Sequence, residues 1–205
     1  MFNVFVCKSD LKKIEREDIF KMSKAIACTA EEALKKLKEG NAQYLDSGVN
    51  KGDVSLAIRE KTCAEGQTPY AIVITCSDSR VIPESIFSAG IGDLFVIRVA
   101  GNVIDNHQLG SIEYAADHLG SRLVVVMGHT NCGAVGAAID SAPEGFVKTI
   151  TDEIKKAIGD EKDGYKACCL NVQNSLKVIE ESVKIDGLKV CGAVYHIDSG
   201  KVEFL

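Results

Sequence analysis

The stretch Tyr70–Arg80, YAIVITCSDSR, decides how the rest of the chain is read. YAIVIT is a continuous apolar run of the kind carried by a parallel strand covered on both faces. The run stops on Cys76, and the next four residues offer two hydroxyls, a carboxylate and a guanidinium. Core packing asks for none of these groups, so the end of this strand is where chemistry is to be sought.

Outward from there, the same pattern returns. Asp93–Ala100, DLFVIRVA, is a second strand closed by Gly101-Asn102, and Arg122–Gly128, RLVVVMG, is a third, followed by His129-Thr130-Asn131-Cys132-Gly133. Between them, Ser111–Gly120 has helical spacing and a glycine stop, and Gly133–Ile139 continues as a small-residue helix. Upstream, Thr29 and Glu32 form a capping box at the start of a helix whose apolar stripe is Ala33, Leu37 and Tyr44, with Leu34 and Leu45 beside them. From Phe146 to Ile185 the pattern is helical and charged, broken near GDEKDG. The chain ends in two alternating strands around Asp198-Ser199-Gly200, a hairpin signal. Strands alternating with helices predict an α/β fold with a mostly parallel central sheet, flanking helices and an antiparallel C-terminal edge.

Composition bounds the function classes. The chain has 205 residues, 46% apolar, and its net charge of −5 gives no reason to expect nucleic acid, whose phosphates need a basic face. No apolar run reaches the roughly 18 residues of a membrane span, and the start has the reverse of a secretory signal's charge order. A soluble, cytoplasmic protein is expected. Eight cysteines are irregularly spaced in a chain too large to need a disulfide framework, so reduced thiols or metal ligands are expected. Cys7, Cys28, Cys63, Cys168, Cys169 and Cys191 read as small buried apolar residues.

The remaining two cysteines stand at strand ends. In an open α/β sheet, sites assemble outside the carboxyl ends of the strands, where strand order reverses. Cys76 directly follows one strand, and the His129-x-x-Cys132 motif follows another. Two thiolates and an imidazole are a soft, tetrahedral-leaning set that favours Zn²⁺. Either motif alone is weak; their expected meeting on one rim is what carries the reading. Asp78 has two possible tasks there: to close the site as a fourth ligand, or to accept a hydrogen bond from a group on the metal and orient it. Bidentate pairing with Arg80 favours the second task. An ordinary turn, with Ser77, Asp78 and Ser79 capping a following helix, is the plain alternative.

At this point the sequence resembles the β-class carbonic anhydrases. The resemblance is carried by CSDSR at Cys76–Arg80 together with GHTNCGA at Gly128–Ala134, and it extends through EEALKKLKEGN, GDLFVIRVAGN, SIEYAADHLG and GAVYHIDSGKVEF. It covers residues 29–205 as one α/β zinc-enzyme domain, with residues 1–28 as an N-terminal extension or arm. The resemblance implies zinc on Cys76, His129 and Cys132, an orienting dyad of Asp78 and Arg80, and reversible hydration of carbon dioxide to bicarbonate, a lyase reaction. It implies Gln67, Phe95, Ala100 and Tyr114 around the substrate, with Ala100 smaller than the valine some members carry, and His118 at a proposed proton-relay position. It also implies a homodimer or higher homo-oligomer with pocket residues near the interface. Members with a regulatory bicarbonate site carry tryptophan where this chain has Val73, which speaks against that regulation here.

Rival readings are fewer. Zinc alcohol dehydrogenase chemistry needs a nicotinamide site, and no G-x-G-x-x-G follows any strand. A zinc deaminase needs H-x-E and P-C-x-x-C, both absent from the sequence. A CS₂ hydrolase of the same fold, or a non-catalytic zinc or bicarbonate-sensing module, uses the same ligands. Arg80 argues against a purely structural site, which has no use for it.

Overall fold

The protein is described by a computed structural model over residues 26–205. Helix α1 (Ala30–Ser47) and helix α2 (Leu56–Glu65) precede β1 (Ala71–Thr75), the short α3 (Pro83–Ile86) and β2 (Leu94–Arg98). A 3₁₀ turn (Ala100–Asn102) leads to α4 (Asn106–Asp117), β3 (Leu123–His129), α5 (Gly133–Asp140), α6 (Gly145–Ile158), α7 (Gly164–Ser182), β4 (Lys189–Tyr195) and β5 (Val202–Phe204). The five strands lie in the order β2-β1-β3-β4-β5, parallel except for the β4–β5 edge pair. This is the expected fold class.

Every residue of β1 and of β3 is buried, because helices cover both faces of the sheet there. On one face Val73, Val125 and Met127 pack with Ala33 and Leu37 of α1 and with Ile86 and Phe87. On the other, Ile72, Ile74, Val124 and Val126 pack with Ile112 and Ala115 of α4 and Val172 and Ile179 of α7. The chain leaves β1 for β2 on one side and returns to β3 on the other. Strand order therefore reverses between β1 and β3, and the crevice at their carboxyl ends is the place the topology offers for a site.

The Thr29–Glu32 capping box is present at the start of α1. The apolar stripe of that helix is shorter than its sequence pattern suggests, because Leu45 is 46% exposed. The helix instead continues its contact through Gly40 and Asn41. A Cβ on Gly40 would stand 1.9 Å from the Phe87 carbonyl oxygen, so only glycine allows this approach. Asn41 Nδ2 donates to the carbonyls of Ile86 (3.1 Å) and Gly200 (2.9 Å), and its Oδ1 accepts from Val202 N–H (3.0 Å). A polar residue thus ties the helix to the C-terminal hairpin.

Two further departures have physical causes. Helix α4 begins at Asn106, ahead of the expected Ser111, because Asp105 and Gln108 form a capping box that starts it earlier. Helix α2, capped by Ser55, buries none of its residues and left no apolar period to read. Among the described residues the seven cysteines are free; Cys168 is buried and Cys28, Cys169 and Cys191 are partly buried, but Cys63 on α2 is exposed. Cys7 and residues 1–25 of the expected extension lie outside the described residues. Among the described residues no helix is long and apolar enough to cross a membrane.

Candidate metal centre

Thr75 ends β1 opposite Met127 of β3, so Cys76 leaves the sheet beside the end of β3, where His129 stands. Asn131, at φ 55°, then turns the chain sharply enough to return Cys132 to the same rim. Cys76, His129 and Cys132 are all buried, and one ligand atom from each lies within 4.8 Å of the other two. Residues more than fifty positions apart in sequence thus converge as expected from the ends of two adjacent strands.

Each donor is prepared for a cation. His129 Nδ1 lies 2.9 Å from the Thr130 carbonyl oxygen. A carbonyl only accepts, so this contact assigns the proton to Nδ1 and leaves a lone pair on Nε2. That Nε2 is buried and has no hydrogen-bond partner among the described residues. Such an orphaned acceptor is costly unless something occupies it. Cys76 accepts from the Gly101 N–H at 3.3 Å. The Cys132 thiol pulls the pKa of Cys76 well down against the effect of burial, with the backbone N–H groups of Gly101 and Asp78 acting in the same direction. Cys132 is pushed the other way, first by the Cys76 sulfur and then by burial, although N–H groups at the start of α5 oppose this. Two buried thiolates side by side repel each other, and a divalent ion would remove that conflict by neutralising both. The donor set therefore fits a metal ion.

Gly101 can serve Cys76 only as glycine. Its φ is +67°, and a Cβ there would meet Ile154 Cδ1 at 2.7 Å. Ala100, in the same 3₁₀ turn, stands next to the cluster through this contact.

Asp78 and Arg80 form the bidentate pair. Arg80 Nε donates to Oδ1 at 2.9 Å and Nη2 to Oδ2 at 2.7 Å, while the Arg80 backbone N–H also donates to Oδ1 at 2.9 Å. The same Nη2 reaches the Asn131 carbonyl at 3.3 Å, linking the two ligand-bearing loops. Asp78 Oδ2 stands 4.0 Å from His129 Nε2. The Arg80 hydrogen bonds hold the carboxyl well below the usual carboxylate range, so it is ionised at neutral pH. No helix starts directly after Ser79; the next, α3, begins at Pro83, so this is not a helix cap.

The remaining expected site residues lie elsewhere in the chain. Phe95 pairs with Ile72, three residues before the Thr75–Arg98 pair, hence about 10 Å down the strand from the rim. Its ring lies 6.1 Å from that of Tyr114, which in turn lies 5.4 Å from His118. This aromatic row runs along the outer edge of the sheet, where Tyr114 is 41% exposed. Gln67 is exposed and precedes Pro69, at the amino end of β1, the opposite end from Cys76. Within one chain, Ala100 is the sequence neighbour of the Gly101 N–H that meets Cys76, while Gln67, Phe95, Tyr114 and His118 lie away from the metal cluster.

Sequence reasoning missed Arg98. Its Nε donates to the Cys76 carbonyl at 3.1 Å and its Nη2 to the Asp78 carbonyl at 2.7 Å. Side chain-to-backbone bonds of this kind leave no spacing signal.

Comparison with known proteins gives this geometry a family. A family model described as carbonic anhydrase matches residues 71–202. A carbonic anhydrase of Mycolicibacterium smegmatis is 36% identical over 188 residues, covering 83% of this chain and 91% of the relative. Carbonic anhydrase 2 of Mycobacterium tuberculosis is 34% identical over 187 residues, covering 82% of this chain and 89% of the relative. Among solved structures, a β-carbonic anhydrase of Sordaria macrospora, described as tetrameric, superposes with a TM-score of 0.64 at 30% identity, covering 73% of this chain and 87% of that one. One from Aspergillus fumigatus gives 0.65 at 29% identity, over 85% and 89% of the two chains. A match that runs through most of the sequence and through the fold settles the kinship: the chain belongs to the β-class carbonic anhydrase family, a family of lyases.

Proposed function

We propose that this chain is a zinc enzyme that reversibly hydrates carbon dioxide to bicarbonate and a proton. The observation that carries the reading is the Asp78 carboxylate, locked on both oxygens by Arg80 and standing 4.0 Å from an unpartnered His129 Nε2 beside two buried thiols. Cys76, His129 and Cys132 would hold the ion. A zinc ion there supplies Lewis acidity, which in carbonic anhydrase, the standard illustration of this chemistry, brings the pKa of water from about 15.7 to roughly 7.

The chain's own residues do the rest. An ionised carboxylate only accepts, so Asp78 admits a hydrogen-bond donor beside His129 and rejects an acceptor. It thereby fixes which way the attacking oxygen's lone pair points. Arg80 keeps Asp78 from turning into the ligand cluster and closing it. Ala100 contributes a small apolar surface beside Cys76, suited to a substrate without charge or donors.

Part of the same proposal is a homo-oligomer with a dimer as its smallest unit. A second copy brings its Phe95–Tyr114 face and Gln67 against the rim and completes the apolar pocket, with His118 passing the released proton outward. Residues 29–205 form the catalytic unit, preceded by an N-terminal extension, and the free thiols suit the reducing cytoplasm. The non-catalytic zinc site is the weaker reading, because Arg80 holds away the carboxylate that would otherwise close it.

The test is stopped-flow CO₂ hydration with zinc quantified per chain. The expected result is about one zinc per chain and activity that disappears on chelation and returns with zinc. A fully zinc-loaded protein without hydration activity, or unchanged activity after zinc removal, overturns the reading.

A further inference from the structure

Arg98 is the last residue of β2 and the register partner of Thr75. The backbone ladder between these strands ends just beyond, where Val99 N–H donates to the Thr75 carbonyl at 3.1 Å. From there the Arg98 side chain continues the pairing. Its Nε and Nη2 donate to the carbonyls of Cys76 (3.1 Å) and Asp78 (2.7 Å). These carbonyls lie on either side of Ser77, so the planar guanidinium fixes two peptide planes at once. The direction in which the Cys76 thiol and the Asp78 carboxylate leave the backbone is set by those planes. Arg98 is itself exposed, so filling the core does not explain its placement.

We propose that Arg98 is a positioning residue for the reaction. It clamps the backbone that carries both a metal ligand and the orienting carboxylate, and so keeps their spacing constant. The work divides between two guanidiniums. Arg80 holds the carboxylate of Asp78, and Arg98 holds the segment from which that carboxylate projects. The proposal rests on the metal-dependent reading of this site, and it places the clamp on β2, an element that supplies no ligand.

The test uses the full chain loaded with cobalt(II) in place of zinc. Native protein, Arg98→Ala and Arg98→Lys are compared by visible absorption, by the rate at which a chelator extracts the cobalt, and by CO₂ hydration. All three are expected to bind cobalt, because the ligands are untouched. Arg98→Ala is expected to change the cobalt absorption bands, to release the metal about tenfold to hundredfold faster, and to lose a similar factor in kcat with little change in KM. Arg98→Lys is expected to fall between the two, since an ammonium can satisfy one carbonyl where the fork satisfies two. Native absorption and a native extraction rate in Arg98→Ala overturn the clamp, even if activity falls, because a role in folding or assembly alone would leave the metal's surroundings unmoved. If the native cobalt and zinc proteins both fail to hydrate CO₂, the functional reading falls, while absorption and extraction still decide Arg98.

Discussion

Asn171 on α7 donates through Nδ2 to the carbonyl of Gly101 at 2.7 Å, and it does so while only 2% exposed. The neighbouring Gly101 N–H donates to Cys76 Sγ. A helix on one face of the sheet therefore supports the turn that stabilises a thiolate at the rim. Asn171→Ala leaves the Gly101 carbonyl buried without its donor. The expected cost is about 1–3 kcal/mol of stability, read as a shift in the denaturant midpoint, with faster zinc release. A midpoint equal to that of the native protein would show that the turn holds itself.

Removing one thiol should separate ligands from core cysteines. Cys132→Ala is expected to lose most of its zinc, because two donors remain of three. Cys168→Ser and Cys169→Ser are expected to keep both zinc and activity, since Cys168 Sγ reaches the His129 carbonyl at 3.5 Å and not the ligand cluster. Zinc per chain, measured after exhaustive dialysis, checks all three. Full zinc in Cys132→Ala would strike that residue from the ligand set.

The Asp78–Arg80 pair makes opposite demands on two variants. Arg80→Ala frees the carboxylate to turn toward the ligands, so zinc content is expected to hold while CO₂ hydration at neutral pH falls at least tenfold and recovers partly at higher pH. Asp78→Asn replaces a pure acceptor with a group that also donates. Its activity is expected to be low at every pH, again with zinc retained. Native activity at neutral pH in Arg80→Ala would reduce Arg80 to a surface ion pair.

Thiol chemistry offers a check on burial that is independent of catalysis. Burial pushes the Cys168 thiol up to about 12. Since the thiolate is the nucleophile, only about one part in ten thousand of Cys168 is reactive at pH 8. Cys63 is exposed on α2. Iodoacetamide at pH 8 is expected to label Cys63 well before Cys168, with reactivity of Cys168 rising as pH climbs toward 12. Mass spectrometry of the labelled peptides decides the order, and early labelling of Cys168 would contradict its buried placement.

Much of this was legible because the signals were local. The apolar runs that become β1 and β3, the Thr29–Glu32 box and the hairpin at Asp198–Gly200 each declare themselves within a few residues, and the meeting of Cys76 with His129 follows once both strands are placed in one sheet. What escaped was non-local. Asn41, Asn171 and Arg98 work through backbone carbonyls of distant segments, and any residue's carbonyl looks the same in sequence. The Asp105–Gln108 box was available and would have started α4 correctly. Leu45 fits a helical period but stays half-exposed, because it meets the Gly200 turn at the margin of the hairpin. Gln67, Phe95 and Tyr114 were matched to a pocket by resemblance, which does not distinguish a wall built within one chain from one built between two.

The junction of β1 and β3 has a consequence for how the chain reaches its native state. Cys76 follows directly on Thr75, which pairs with Met127, and His129 ends the same partner strand. A slip of one residue between these strands would move Cys76 by about 3.3 Å and turn its side chain to the other face. The sulfur would leave the group of atoms that now lies within 4.8 Å. On the metal-dependent reading, the free energy of ion uptake would be added to the native pairing, which alone brings the three donors together. The alignment of the sheet and the affinity for the ion would then be two readings of one quantity.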